Sequence, residues 1–289
     1  IPVAIKDSCE IAGEITTHGS KVYENHRPTT THPGVARLLE AGAILFARTT
    51  LPEFGEAGNC YTPLWGVARN PWNLHYGPGG SSSGAGAVFA TGMETQAEGS
   101  DIGGSIPIPD ACSNVVGYKP PYGRNPNARI ASFDPYQHYG PLARTVNDIA
   151  LMQNVISGIH VEDIGTLRER LIIPQNLEPV RDWKIALSIN LGYFQVDPDV
   201  RRNTEAVATA LRDAGNLVET VDLGWTEETF DAWLAVNATR GAAVRKVGDF
   251  ERWRPYLADY TVDMIEHGKK VTVDQLVRAL EIHVEMYAR

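Results

Sequence analysis

The apolar segment Ile1 to Ile5 constrains the fold most, because a short apolar run of this kind predicts a buried strand. The segment ends directly at Lys6. The next periodic segment predicts a helix from about Pro33 to Glu40, closed by Gly42, and the apolar run Ala43 to Ala47 predicts a second strand. A strand, a helix and a strand in succession indicate an α/β protein.

The alternation continues through the second half of the chain. Two further helices and two further strands are predicted: helices near Val146 to Ile156 and Pro198 to Ala214, strands near Lys184 to Ile189 and Asn216 to Leu223. The remainder is predicted to be helical. Thr272, with Gln275 three residues later, has the spacing of a capping box that opens a final helix.

The segment from Tyr76 to Arg124 has a different composition, rich in glycine, serine and proline. This composition predicts long irregular backbone rather than helices and strands. Long loops inside a compact domain are usually functional. We therefore expect the functional residues to lie here.

Charge and composition exclude several classes of function. The formal charge of −9 and the pI near 5.4 provide no basic patch, so we expect no nucleic-acid partner. No run of 18 apolar residues and no signal-peptide pattern occur, so we expect a cytoplasmic protein that does not bind membranes. Three cysteines without CxxC spacing indicate neither a disulfide framework nor a zinc site. Metal and phosphate motifs are absent from the sequence, and no cofactor is expected.

The loop Gly77-Pro-Gly-Gly-Ser-Ser-Ser-Gly84 combines four glycines with three serines. Such a loop brings main-chain amides and hydroxyl groups together and is suited to binding an anion or an oxyanion. A flexible linker has a similar composition. The loop, however, runs directly into the small, apolar stretch Ala85 to Ala90, which is not typical of a linker.

A second candidate segment is Gly99-Ser-Asp-Ile-Gly-Gly-Ser-Ile106, in which two glycines precede Ser105. Glycines leave the main chain free to present several N–H groups, as an oxyanion hole requires. A nucleophilic serine also needs a base, and no histidine is obviously paired with it. Lys6 is the available candidate, since burial after an apolar strand would lower its pKa. An isolated lysine is otherwise most often a solvated surface charge.

In these segments the chain resembles the amidase signature family. The ordered motifs cover about the first half of the chain, and their shared order makes chance agreement improbable. They are Pro2-Val-Ala-Ile-Lys-Asp7, Pro52-Glu-Phe-Gly55, Asn70-Pro-Trp-Asn73, Pro78-Gly-Gly-Ser-Ser-Ser-Gly84, Gly99-Ser-Asp-Ile-Gly-Gly-Ser-Ile106, Val116-Gly-Tyr-Lys-Pro120 and Gly140-Pro-Leu-Ala-Arg-Thr145.

The resemblance implies an α/β fold with a central mixed, twisted sheet flanked by helices on both faces. It implies one domain over residues 1–289, lacking N- and C-terminal portions that family members usually have. Within it, residues 1–158 would form the catalytic core. Residues 159–289 would form a more variable, helix-rich part that shapes the substrate pocket.

The resemblance also assigns roles to individual residues. Ser105 is the implied nucleophile, and Ser81, expected on a cis peptide bond, passes its proton to Lys6. Ser82 and Asp101 are implied supporting residues, Ser82 through hydrogen bonds and Asp101 as a carboxylate that holds the loop. The implied oxyanion hole consists of the main-chain N–H groups of Ile102, Gly103, Gly104 and Ser105.

Two residues depart from the family pattern. Pro107 replaces an arginine that usually follows the Ser-Ile pair, which leaves the partner of Asp101 undetermined. Ser83 replaces a common glycine and restricts the loop. Neither change removes a member of the proposed triad.

The resemblance implies an amidase whose substrate is a small-molecule amide, carbamate or ester. Tyr61, Trp65 and Tyr136 are candidate walls of the substrate pocket, although ordinary packing explains aromatic residues equally well. A homodimer and an amidotransferase-type subunit both remain open.

Two other functions compete with the amidase. Gly80-Ser-Ser-Ser-Gly84 matches the nucleophile elbow of α/β-hydrolase esterases, with Ser82 at its centre. The residues before it make a poor strand, and no later histidine has a recognisable setting. A non-catalytic, amide-binding module is the other alternative, and the complete set of triad residues argues against it.

Overall fold

The computed structural model describes residues 1–244 and 249–288. The chain divides into two units. The first consists of Ile1–Asn176 and Asp249–Val262, and the second consists of the described parts of Leu177–Gly248 and Asp263–Arg289. All the predicted catalytic residues belong to the first unit.

A five-stranded mixed sheet forms the centre of the first unit. Its strands are β1 Pro2–Lys6, β2 Ile44–Thr49, β5 Gln96–Asp101, β6 Val116–Gly117 and β7 His138–Ala143, and the short pair β3 Tyr61–Thr62 and β4 Gly66–Val67 forms a separate hairpin. The strands lie in the order β2-β1-β5-β7-β6. Strand β1 is parallel to both β2 and β5, whereas β7 is antiparallel to β5 and β6. The central mixed sheet is confirmed.

Helices cover both faces of this sheet. On one face Val3 and Ile5 of β1 pack with helices α1 Pro33–Glu40 and α4 Val146–Ile156. On the other face Ala4 packs with helix α2 Ser83–Ala90. Since side chains alternate along a strand, Lys6 shares the face of Ala4 and points toward α2. This alternation is what brings the lysine to the serines that precede α2.

The prediction of irregular backbone between Tyr76 and Arg124 is wrong. This segment contains α2, β5, helix α3 Pro107–Ser113 and β6. Its glycines serve close packing instead: a Cβ on Gly84 would lie 2.5 Å from Thr50 N, and one on Gly86 would lie 2.7 Å from Ser113 Oγ. Glycine content alone does not distinguish a loop from a helix that approaches its neighbours this closely.

The sequence predictions of helices α1 and α4 are confirmed. Helix α1 begins with Pro33, and the His32 Nδ1 atom caps it by accepting the Gly34 N–H at 3.2 Å. The chain leaves α1 through Gly42, whose φ is +85°. Helix α4 begins after Thr145, whose side chain accepts the Asp148 N–H.

The second unit contains a parallel strand pair, β8 Lys184–Leu187 and β9 Leu217–Thr220, joined through helix α5 Pro198–Asp213. These three elements match the sequence predictions within a few residues. Helices α6 Glu227–Val244 and α9 Val273–Tyr287 enclose a small core built around Ala232, Ala279 and Ile282. Thr272 and Gln275 form the predicted capping box at the start of α9.

Two further helices are α7 Phe250–Trp253 and α8 Asp259–Gly268. The helical prediction for residues 245–248 and 289 lies outside the described residues. Across the described chain, no helix has both the length and the apolar character needed to cross a bilayer.

Candidate active site

Lys6 lies at the buried centre of the candidate site. It is the last residue of β1, and its side chain is 0% exposed. Its Nζ atom lies 2.8 Å from Ser81 Oγ, 3.1 Å from Ser82 Oγ and 2.9 Å from Ser100 Oγ. The Ser100 carbonyl oxygen is a fourth neighbour at 3.3 Å. These polar contacts compensate for the removal of the amine from water.

Burial is the largest influence on the pKa of Lys6 and lowers it from 10.5 to about 8. Glu98 opposes this effect most strongly, because its negative charge favours the ammonium form. Smaller influences in the same direction come from Cys9, Asp101 and Cys60. An amine with a pKa near 8 is neutral in a useful fraction of molecules at neutral pH and can accept a proton.

Ser81 lies in the loop before α2, and the peptide bond between Gly80 and Ser81 is cis, as the resemblance implied. Its side chain is almost fully buried. Neighbouring loops pack closely around it: a Cβ on Gly55 would lie 3.3 Å from Ser81 Oγ, and one on Gly80 would lie 2.7 Å from Ala57 O. Glycine at these positions allows the Ser81 hydroxyl to sit between two loops and reach Lys6.

Ser82 and Ser100 accept hydrogen bonds from the Lys6 amine. The Ser82 hydroxyl donates to the Ser100 carbonyl at 3.3 Å, so toward Nζ it acts as an acceptor. A neutral amine has two N–H groups and one lone pair. Three acceptors surround Nζ besides Ser81, namely Ser82 Oγ, Ser100 Oγ and the Ser100 carbonyl. They can accept those two N–H groups, which leaves the lone pair for the Ser81 hydroxyl. This arrangement is compatible with transfer of a proton from Ser81 to Lys6.

Ser105 lies between β5 and α3 and is partly exposed, so a substrate can reach it. Its carbonyl oxygen accepts the Ser82 N–H at 3.1 Å. This hydrogen bond joins the loop that carries Ser105 to the loop that carries Ser81. The two segments predicted to hold the nucleophile and the bridging serine therefore meet.

Asp101 organises the turn that contains Ser105. Its carboxylate is buried and accepts the N–H groups of Gly104 at 3.2 Å and Ile106 at 2.6 Å. The predicted role as a loop-holding carboxylate agrees with these bonds. Gly104 is also one of the four predicted oxyanion donors, so a substrate oxyanion would share that N–H with Asp101.

Lys119 is the charged partner of Asp101. Its Nζ lies 2.5 Å from Asp101 Oδ1 and donates to the Ile102 carbonyl at 3.2 Å. Pro107, which stands where an arginine is usual, begins α3 and has no N–H to offer. The cation that neutralises the buried carboxylate therefore comes from the segment after β6.

The three aromatic residues predicted for the substrate pocket lie at or near the surface. Tyr61 and Trp65 are 47% and 58% exposed. The Tyr61 carbonyl accepts the Tyr260 hydroxyl at 2.6 Å, and the Trp65 Nε1–H donates to Thr17 Oγ1 at 3.2 Å. Tyr136 is partly buried beside Asp134. Their role as pocket walls stays a prediction.

The geometry disfavours the esterase alternative. Ser82 is 0% exposed, and its hydroxyl is hydrogen-bonded to Lys6 and to the Ser100 carbonyl. A nucleophile elbow needs an exposed hydroxyl. Over the part of the chain that the structure describes, no cluster of His, Cys, Asp and Glu side chains has the form of a metal site.

Three contributors to the site were not found from the sequence: Ser100, Glu98 and Lys119. Ser100 lies inside a recognised motif, and its contact with Lys6 follows once β1 and β5 are known to be adjacent. Glu98 gives a weaker signal, a glutamate within a strand. Lys119 also lies inside a motif, and the departure at Pro107 was the signal that another cation was needed.

Comparison with known proteins supports the family resemblance that the sequence motifs indicated. A family model described as Amidase matches residues 1–288. An acylamidase from Rhodococcus erythropolis is 31% identical over 290 residues, which are 99% of this chain and 61% of that protein. A glutamyl-tRNA(Gln) amidotransferase subunit from Desulforapulum autotrophicum is 36% identical over 238 residues, which are 80% of this chain and 48% of that protein.

A solved structure, a bacterial aryl acylamidase of the amidase signature enzymes, superposes with a TM-score of 0.90 at 30% identity. The match covers 99% of this chain and 62% of that one. The chain thus spans between about half and three-fifths of the length of these relatives. Because the family model covers nearly every residue, the chain belongs to the amidase signature family, as its ordered motifs predicted.

Proposed function

We propose that this protein hydrolyses the C–N bond of a carboxylic amide through an acyl-enzyme on Ser105. The observation that carries this proposal is the buried Lys6, with Nζ 2.8 Å from Ser81 Oγ and a pKa of about 8. The residues involved lie between Lys6 and Lys119, inside the predicted catalytic core 1–158.

In the first step Ser105 Oγ attacks the amide carbonyl carbon. The Ser105 proton passes to Ser81 Oγ as the Ser81 proton passes to Lys6 Nζ. The carbonyl oxygen becomes an oxyanion and accepts N–H groups from the turn Ile102 to Ser105. The carboxylate of Asp101 holds this turn in place through Gly104 and Ile106.

In the second step the tetrahedral intermediate breaks its C–N bond. The proton on Lys6 returns through Ser81 to the leaving nitrogen, which departs as ammonia or an amine. Water then attacks the acyl-enzyme with the same base, releasing the carboxylic acid and restoring Ser105. The relay returns to its starting protonation state after each turnover, and these steps need no cofactor.

The relatives suggest an acylamide substrate, because an acylamidase and an aryl acylamidase are among them. The test is release of 4-nitroaniline from 4-nitroacetanilide by wild type, Ser105→Ala and Lys6→Met. We expect hydrolysis by wild type and loss in both variants. Ser157→Ala, which changes a buried serine outside the site, should retain the wild-type rate. Equal rates in wild type and Ser105→Ala would overturn the proposal.

A carbamate or an ester would react at the same site, so ethyl carbamate and 4-nitrophenyl acetate belong in the same panel. A second candidate is an amidotransferase-type subunit, favoured by the similarity to the glutamyl-tRNA(Gln) amidotransferase subunits. Ser105-dependent release of ammonia from glutamine, without hydrolysis of 4-nitroacetanilide, would support that candidate. Binding of an amide without any hydrolysis would support a non-catalytic module.

A further inference from the structure

Glu98 is a buried carboxyl group that the proposed relay does not use. It lies on β5, two residues before Ser100, and is 3% exposed. Burying a carboxyl group is costly unless nearby groups compensate for the lost hydration. The groups around the Glu98 carboxyl therefore indicate its role.

The first compensating group is the main chain of Lys6. Glu98 Oε2 accepts the Lys6 N–H at 3.2 Å. The register between β1 and β5 pairs Ala4 with Ala97 and Ile5 with Glu98, and Lys6 is the next residue. At Lys6 the glutamate side chain takes the place of a main-chain acceptor on β5. The end of β1, from which the lysine side chain projects, is thereby attached to the strand that carries Ser100.

Two other groups face the carboxyl. The Cys9 thiol and the positive charge of Arg48 on β2 both act on it. Arg48 in turn donates to the Lys6 carbonyl at 3.5 Å and to the Cys9 carbonyl at 2.6 Å. Donors and positive charge from β1, β2 and the turn after β1 thus converge around Glu98.

We propose that Glu98 is a positioning residue for the base. It fixes the Lys6 main chain, and it places a buried negative charge beside the lysine that the relay requires. This inference rests on the proposed function, in which Lys6 accepts the proton of Ser81.

The electrostatics of the pair support this role. Burial raises the pKa of Glu98, while Lys6, Cys9 and Arg48 act to keep the carboxylate ionised. The carboxylate in turn is the strongest of the groups that raise the pKa of Lys6 against the effect of burial. The other groups that act on Lys6 are Cys9, Asp101 and Cys60. Cys9 is itself coupled to Glu98, because burial and then the Glu98 carboxylate raise the pKa of the Cys9 thiol.

The test compares wild type with Glu98→Gln, because glutamine keeps an acceptor for the Lys6 N–H and removes the charge. The measured quantity is the rate at which phenylmethanesulfonyl fluoride labels the protein, followed by intact mass from pH 5 to 10. Labelling requires neutral Lys6, so the rate in wild type should rise with a midpoint near pH 8. In Glu98→Gln the midpoint should fall by about one pH unit, since an opposite charge has been removed.

Glu94→Gln is the matched control, because Glu94 is equally buried and close in sequence but accepts the N–H of Thr95 instead. Its midpoint should equal that of wild type. Glu98→Ala, which removes charge and acceptor together, should both shift the midpoint and slow labelling at the plateau by about tenfold or more. A purely structural role would lower the plateau in both Glu98 variants and leave the midpoint unchanged.

The outcomes separate this inference from the proposed function. If wild type labels at Ser105 and Glu98→Gln labels with the same midpoint as wild type, the role of Glu98 is overturned and the relay stands. Wild type that does not label overturns the relay and the role of Glu98 together. If the variants do not fold, hydrogen exchange in wild type decides: the Lys6 amide should be protected, and exchange as fast as at the exposed Gly58 contradicts the contact.

Discussion

Replacing Lys119 by methionine removes the ammonium that faces the buried Asp101 carboxylate. The two side chains differ in exposure: that of Asp101 is 0% exposed and that of Lys119 is 33% exposed. Nζ and Oδ1 are 2.5 Å apart, and methionine retains much of the volume without the charge. The carboxylate keeps the N–H groups of Gly104 and Ile106 as its remaining partners.

The size of the effect follows from this partial burial. Removing one partner of a fully buried ion pair costs about 3–5 kcal/mol, whereas exposed pairs contribute about 0–1 kcal/mol. Water can reach the vacated lysine position, and two amides still bind Asp101. We therefore expect a loss of about 2 kcal/mol in the free energy of unfolding. This corresponds to a decrease of roughly 4–8 °C in Tm.

Urea unfolding followed by tryptophan fluorescence measures this loss, with Arg202→Met as the control. Arg202 lies 2.6 Å from Asp199, but those side chains are 68% and 74% exposed, so its loss should be at most about 1 kcal/mol. Lys119→Arg should recover most of the stability. Losses of equal size in Lys119→Met and Arg202→Met would refute the reasoning, because distance rather than burial would then determine the energy.

The remaining predictions concern a buried histidine and a close helix contact. Burial lowers the pKa of His32 to about 3, so the unfolded chain binds its proton first as the pH falls below 6.5. The free energy of unfolding should therefore decrease by about 1.4 kcal/mol per pH unit between pH 6 and 4 through this residue, and His32→Asn should flatten that slope in urea titrations. Gly84→Ala should lower the free energy of unfolding by about 1–3 kcal/mol, because its Cβ would lie 2.5 Å from Thr50 N. Gly58→Ala is the control, since a Cβ there meets open space. Similar losses of stability in both variants would contradict the close contact at Gly84.

The sequence was most informative where a local pattern is sufficient. Pro33 at the start of α1 and Thr145 before α4 are local signals, and both helices occur where they were predicted. The Lys6 contact with Ser81 joins residues 75 positions apart. No local pattern predicts such a contact, and only the family resemblance suggested it.

The sequence was least informative for residues whose role depends on their neighbours in the folded protein. The composition around Gly84 and Gly86 predicts a loop, whereas both glycines lie in α2 and permit this helix to pack closely against its neighbours. Lys119 is 18 positions from Asp101, and its pairing depends on how the segment after β6 returns to the end of β5. Glu98 has no distinctive sequence setting, because its importance arises from the three elements that surround it.

Intact-mass labelling with phenylmethanesulfonyl fluoride, followed by peptide mapping, tests the central claim most directly. The account predicts one adduct on Ser105 in wild type, no adduct in Ser105→Ala, and strongly slowed labelling in Lys6→Met. Ser82→Ala should still label at Ser105. An adduct on Ser82, or labelling of Ser105 at the wild-type rate without Lys6, would contradict the relay from Ser105 through Ser81 to Lys6.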